Sequence, residues 1–207
     1  MLPRVLRKPY EADCEWVLVE KRSSGQTSTV ITSGMVARDT SGRWLAQHES
    51  EKPEGGSERP AWTATIYDPI SQTLNILNLQ SGTTARFPVV ARIDAHGLEV
   101  PTIEIEGKQA DFMMDLPTCA DSTLGERMIE GLHCTGYYRN LGAGSIEFWF
   151  ADELEASVWY RTSLGDLEIT IRAYNILQSE PDPQLFVVPP PDEGQVQDSH
   201  IVPWNRA

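Results

Sequence analysis

Apolar and polar side chains alternate in short runs along most of the chain. Leu167, Ile169, Ile171 and Ala173 oppose Glu168, Thr170, Arg172 and Tyr174, and Leu132, Cys134, Gly136 and Tyr138 oppose His133, Thr135, Tyr137 and Arg139. A period of two is the pattern of a strand with one face against a core and one in water. Turn signals punctuate the runs at Ser23-Ser24-Gly25, Asp39-Thr40-Ser41-Gly42, Asp68-Pro69, Ser81-Gly82, Glu106-Gly107, Glu130-Gly131, Gly142-Ala143-Gly144 and Gly165-Asp166. Runs rich in Val, Ile, Thr and aromatic residues between such signals read as successive hairpins.

The pattern predicts strands over Tyr10–Lys21, Thr27–Asp39, Arg43–Glu51, Trp62–Tyr67, Thr73–Asn78, Thr84–Pro88, Arg127–Glu130, Leu132–Arg139, Ser145–Ala151, Ala156–Thr162 and Leu167–Ile176. Helical signals are confined to Ala110–Leu116, which Pro117 ends, and Asp152–Glu155, one turn at most. An antiparallel, all-β fold follows. Glu51–Pro60 is polar and carries two prolines and two glycines, so it reads as a mobile loop. Across Val89–Thr123 the periodicity fades, which leaves open a short hairpin through Glu106-Gly107-Lys108, a linker between half-sheets, or a covering flap. Residues 1–188 are expected to form one domain and 189–207 a flexible, proline-led tail.

Composition narrows the functional classes. Of 207 residues, 40% are hydrophobic and 15 are glycine, enough for a packed core. With 30 acidic and 17 basic side chains the formal charge is −13. That balance disfavours a nucleic-acid partner, which clustered Lys and Arg would recruit. No apolar run approaches the roughly 18 residues of a membrane helix. The opening MLPRVLRKPY is broken by Pro3 and Pro9 and has no apolar stretch, so it reads as neither a membrane anchor nor a complete signal peptide.

The side chains that usually carry chemistry are scattered. Cys14, Cys119 and Cys134 form no CxxC pair, and His48, His96, His133 and His200 have no partner at ligand spacing, so no metal or cofactor is expected. Cys14 and Cys134 lie in strand-like runs and read as small buried hydrophobes; a disulfide between them is the alternative. A GxSxG elbow, a P-loop, a GxGxxG and an HExxH helix are all absent, and acidic pairs such as Asp152 and Glu153 read as a solvated turn, so no catalytic residue is expected. The aromatic residues are more suggestive. Trp16, Trp44, Trp62, Phe148, Trp149 and Trp159 fall within strands, where they serve a core or line a concave apolar site.

Four stretches occur in a distinctive order. These are PYEADCEWVLVEKRSSGQTSTVITSGMVARDTSGRW, IYDPISQTLNILNLQSGTTARFP, TLGERMIEGLHCTGYYR and ITIRAYNILQSEPDPQLFVVPP. Together they resemble a family of uncharacterised, mostly exported proteins of soil bacteria, with RDxxGR, DP, LGxxxIEG and EPDPxLFxVP motifs, over roughly residues 9 to 190. Physically these motifs turn the sheet, and Leu185, Phe186 and Val188 are expected to fold back onto the core after Glu180-Pro181-Asp182-Pro183.

More distantly, the long meander and closing segment are similar to the Lol-type lipoprotein carriers, curved half-open antiparallel barrels. The chain departs from those carriers in lacking obvious amphipathic helices and in its polar Glu51–Pro60 loop. The resemblance implies a strongly curved sheet or half-open barrel acting as a non-catalytic envelope module that holds an apolar or lipid-like ligand. The alternative is a protein-interaction module pairing through a sheet edge or the Pro189-Pro190-Pro191 tail. The family likeness implies a periplasmic or secreted location if the chain is a trimmed mature form; a cytoplasmic member would suit free cysteines.

Overall fold

The computed structural model describes residues 7–21, 25–50, 61–79, 81–93, 99–105, 108–111, 117 and 120–189. They form thirteen strands: β1 (Tyr10–Lys21), β2 (Thr27–Arg38), β3 (Trp44–Ser50), β4 (Ala61–Asp68), β5 (Thr73–Asn78), β6 (Thr83–Ile93), β7 (Glu99–Ile105), β8 (Lys108–Asp111), β9 (Ser122–Ile129), β10 (Leu132–Asn140), β11 (Gly144–Ala151), β12 (Ala156–Leu164) and β13 (Leu167–Leu177). A short 3-10 helix, Pro183–Phe186, follows, with Asp182 accepting from the Gln184 N–H as its cap.

All thirteen strands belong to one antiparallel sheet in the order β8-β7-β6-β5-β4-β3-β2-β1-β13-β12-β11-β10-β9. Every neighbouring pair is adjacent in sequence except β1 with β13. The strand order is thus a ring cut between β8 and β9. The faded segment contains the hairpin of β7 and β8, with Ile105 opposite Lys108. Ala110 and Asp111, expected in a helix, instead pair with Ile103 and Thr102; the remainder of that expected helix, the Glu51–Pro60 loop and the tail beyond 189 lie outside the described residues. Asp152–Glu155 is a turn.

We call the face that carries Trp16 the inner face. Along β1 its residues Tyr10, Ala12 and Cys14 are buried and Trp16 half-buried, while the alternates Asp13 and Glu15 are exposed. The sheet is open and curled, and Arg38 at the end of β2 records the curl. Its Nη1 donates to the Glu155 carbonyl at 2.7 Å and Nη2 to the Leu154 carbonyl, both in the β11–β12 turn, while Nε and Nη2 reach the Lys8 carbonyl at 3.1 and 2.8 Å. In a flat sheet β2 and β12 would stand three strand spacings apart, about 14 Å. Direct bonds across that interval require the sheet to bend.

The largest apolar cluster sits where the sheet bends. It joins Ala12 and Cys14 of β1, Ala173 of β13, Ala156 and Val158 of β12, Ala151 and Trp149 of β11, Cys134 and Leu132 of β10, and Leu154. Small side chains let the strands approach, and register shifts between Glu11 and Asp13 on β1 and between Trp149 and Phe150 on β11 re-aim the side chains. Asn175, at the β13 irregularity, has φ of 51°, a left-handed conformation that asparagine tolerates better than most residues. A second cluster lies on the outer face: Ala37, Leu45, Ala64, Ile66 and Leu77 are covered by Phe186, with Leu185 and Val188 beside it. The closing segment does fold back onto the sheet.

Two sequence motifs meet at this end. Asp39 accepts from the Ser41 hydroxyl at 2.7 Å, the Arg43 N–H at 2.9 Å and Arg43 Nε at 2.6 Å. Burial alone would raise the Asp39 carboxyl, but these bonds outweigh it and hold it below its ordinary 3.8. Its contribution to stability is therefore fully present above about 4 and is lost as pH falls through the lowered value. Glu180 accepts from the Thr40 N–H and hydroxyl, and the Arg43 guanidinium lies 4.9 Å from the Phe186 ring centre. The Arg38–Arg43 turn and the Glu180–Phe186 segment therefore clamp one another.

Candidate functional site

Registers across six adjacent strands bring remote residues into two rows on the inner face. The first runs Tyr137, Phe148, Tyr160, Ile171, Trp16, Thr32 from β10 to β2. The second runs Arg139, Ile146, Thr162, Ile169, Leu18, Val30 through the same strands. Tyr137 stacks on Phe148 with ring centres 5.3 Å apart. Phe148 and Ile146 are buried, whereas Tyr137, Tyr160, Ile171, Trp16, Ile169, Leu18 and Val30 are half-buried. Side chains this apolar with part of their surface open form a surface on which an apolar body can lie.

Trp16 is seated by a glycine. A Cβ at Gly34 of β2 would stand 2.7 Å from Trp16 Cζ3 and 2.0 Å from the Gln47 carbonyl oxygen, so only glycine lets the indole cross β2. There it meets His48, ring centres 5.2 Å apart.

Four of the six predicted lining residues, Trp16, Trp44, Trp149 and Trp159, gather at the main apolar cluster. Trp16 and Phe148 share the first inner row. Trp44 is also on the inner face, opposite Arg38 on β2 and Tyr67 on β4, at the end where the sheet is clamped. Trp62 pairs with Glu49 and points to the outer face. Trp149 and Trp159 are paired with one another in a row that continues to Arg172 and Glu15; beside the β11 register shift, Trp149 is a buried member of the main cluster and Trp159 packs against it. The Trp149 ring covers Gly136 and is capped by Arg127, whose guanidinium is 3.7 Å from the ring centre. The row beside it holds the Arg161–Glu147 ion pair, and Trp149 Nε1 donates to Glu147 at 3.2 Å. Tyr137, Tyr160, Ile171, Leu18 and Arg139 were not singled out from sequence, because alternation shows which residues share a face of one strand but not which strands lie side by side.

A cavity of about 460 Å³ opens at the β1–β13 irregularity, among Glu11, Asp13, Glu130, Asn175, Ile176 and Leu177. No tryptophan lines it. Its acids are partnered, Asp13 by Asn175 Nδ2 at 2.9 Å and Glu130 by Arg172 at 2.6 Å. Among the described residues no group of three or more His, Cys, Asp or Glu side chains is placed to hold a metal ion, and no helix is long and apolar enough to cross a membrane.

Cys14 and Cys134 are free and buried in the main cluster. Burial, reinforced by Asp13, pushes the Cys14 thiol up to about 12, and burial raises Cys134 as well. The thiolate is the reactive form. At pH 8 both are expected to resist iodoacetamide in the native protein and to react in denaturant, as site-resolved mass spectrometry would show; rapid native alkylation of Cys14 would contradict its burial. Because the folded value is raised, the thiol's contribution to stability is present below about 9 and declines as pH rises from there towards 12.

No family model matches the chain, and no curated protein matches it. Solved structures do resemble it. A beta-barrel-like protein of the domain of unknown function DUF1849 from Brucella abortus aligns with 85% of this chain and 100% of its own, at TM-score 0.47 and 10% identity. PNGF-II aligns over 86% of this chain at TM-score 0.44 and 10% identity, but only 30% of its own chain is covered. A domain described as outer-membrane lipoprotein-sorting from Vibrio parahaemolyticus aligns over 86% of this chain and 88% of its own, at TM-score 0.37 and 8% identity. Likenesses at this level carry no activity across to this chain.

Proposed function

We propose that the protein is a non-catalytic binding module of the bacterial envelope that holds an apolar or lipid-like ligand against the inner face of its sheet. The observation that carries this reading is the pair of inner rows. Half-buried Trp16, Leu18, Ile169, Ile171, Tyr137 and Tyr160 lie side by side across β10, β11, β12, β13 and β1, with Phe148 and Ile146 as their floor. Covering such side chains gains about 25 cal/mol for each Å² of apolar surface removed from water. The location rests on the likeness to the exported family. Of the residues expected to line the site, Trp16 and Phe148 lie in the first inner row, Trp44, Trp149 and Trp159 adjoin the main cluster, and Trp62 points to the outer face.

The test uses the environment-sensitive apolar probe 1-N-phenylnaphthylamine. Binding is expected with a micromolar or lower Kd, and Trp16→Ala is expected to weaken it by about tenfold, the effect of about 1.4 kcal/mol of lost contact. No probe binding to the folded chain would refute the reading.

A second reading, an interaction module, is favoured by β9. This strand ends the sheet order, and all of Ser122–Met128 are exposed, including Leu124 at 45% and Met128 at 63%. An open edge of this kind accepts a partner strand by backbone pairing.

A further inference from the structure

The geometry points to Arg139 as the anchor for the anionic headgroup of an alkyl-chain amphiphile lying along the inner rows, an inference that rests on the apolar-ligand reading above. Arg139 heads the second row, opposite Ile146 on β11, with Thr162, Ile169 and Leu18 beyond. Its Nη1 is buried and has no hydrogen-bond partner among the described residues. Other arginines of the sheet differ: Arg43 is held by Asp39, Arg161 by Glu147, Arg172 by Glu130 and Arg38 by backbone carbonyls. A buried donor without an acceptor carries a desolvation penalty that an oxygen from a ligand would relieve.

The surroundings define that ligand. Asp13 and Glu15 of β1, Glu147 of β11 and Glu168 of β13 occupy positions alternate to the inner rows, so the sheet turns these acids away from Arg139. A guanidinium in an apolar setting selects a carboxylate or phosphate, which it binds through two parallel N–H bonds. From β10 to β2 the rows span five strand spacings, about 24 Å along the sheet, the scale of a long acyl chain. Arg139 stands at one end and the two rows are otherwise uncharged; the nearest acids are Glu20, in the next row on β1, and Asp121, which accepts from the Asn140 N–H at 2.6 Å, so the rows fit an amphiphile with a single charged head better than a uniformly apolar molecule.

The experiment titrates the full chain with oleate, oleyl phosphate and oleyl alcohol by calorimetry, in wild type, Arg139→Gln and Arg139→Lys. In the wild type at least one anion is expected to bind about tenfold or more tighter than the alcohol, in line with a hydrogen bond to a charged group. Tight binding of oleate alone, or of oleyl phosphate alone, identifies the headgroup. Arg139→Gln is expected to bring the anions to the level of the alcohol and to leave the alcohol within about twofold, while Arg139→Lys retains part of the preference. Equal affinity for all three ligands in wild type overturns the assignment of Arg139 and leaves the apolar site standing. So does an unchanged preference in Arg139→Gln. Failure of all three to bind overturns the apolar site itself. The wild-type comparison decides the matter even if a variant does not fold.

Discussion

Gly34→Val is expected to lower the melting temperature by about 10 °C, the equivalent of some 3 kcal/mol in a protein of this size. The first side-chain carbon at position 34 would stand 2.0 Å from the Gln47 carbonyl oxygen, 2.7 Å from Trp16 Cζ3 and 2.8 Å from the His48 Cα. Two of these three are backbone atoms of β3, so the neighbouring strand itself must move, and Trp16 loses its seat across β2. The same substitution is therefore expected to shift tryptophan emission to longer wavelength and abolish probe binding. Ser33→Val, one residue away on the exposed outer face, provides the control and should change stability by no more than about 0.5 kcal/mol. A Gly34→Val protein melting within about 2 °C of wild type would remove the close approach on which the seating of Trp16 depends.

Arg38→Met is expected to cost about 3 kcal/mol, although methionine preserves much of the buried volume. Arg38 is 6% exposed and is bonded to the carbonyls of Lys8, Leu154 and Glu155, with its guanidinium 5.1 Å from the Tyr10 ring centre. Without it the Leu154 and Glu155 oxygens lose a donor that β2 supplies from three strand spacings away, and the Lys8 oxygen loses one from the neighbouring strand. Arg38→Lys is expected to recover only a minor part, because one ammonium cannot reproduce a planar fork aimed at separate carbonyls. Hydrogen exchange would show the effect as local: amides of the β11–β12 turn and of Arg7 and Lys8 should exchange faster, and those of the β5–β6 hairpin should not. Uniform acceleration, or none, would remove Arg38 as the tie across the curl.

Much of the architecture is legible in the alternation. β1 and β5 have the predicted bounds, and most other strands agree at their ends within a residue or two. β7 is legible only as one arm of the hairpin through Glu106-Gly107-Lys108, because EVPTIEI breaks its alternation with Pro101, which pairs with Ala91 on β6. The apparent helix start at Ala110 belongs to β8 for the opposite reason: a helix-favouring residue is taken into a strand by its partner Ile103. The inner rows were beyond local reading. Trp16 meets Ile171 only because β1 pairs with β13, and Tyr137 joins that row only through β11 and β12. Trp62 looks identical to Trp16 in a list of strand tryptophans, yet its pairing with Glu49 places it on the other surface.

Joining the first strand to the last has a cost in time. The middle of this sheet forms between Glu11 and Leu177, 177 − 11 = 166 residues apart, and such distant pairing slows folding because a long loop must close before any contact rewards it. Until the ribosome has released β13, β1 waits as an unsatisfied border beside a half-built meander.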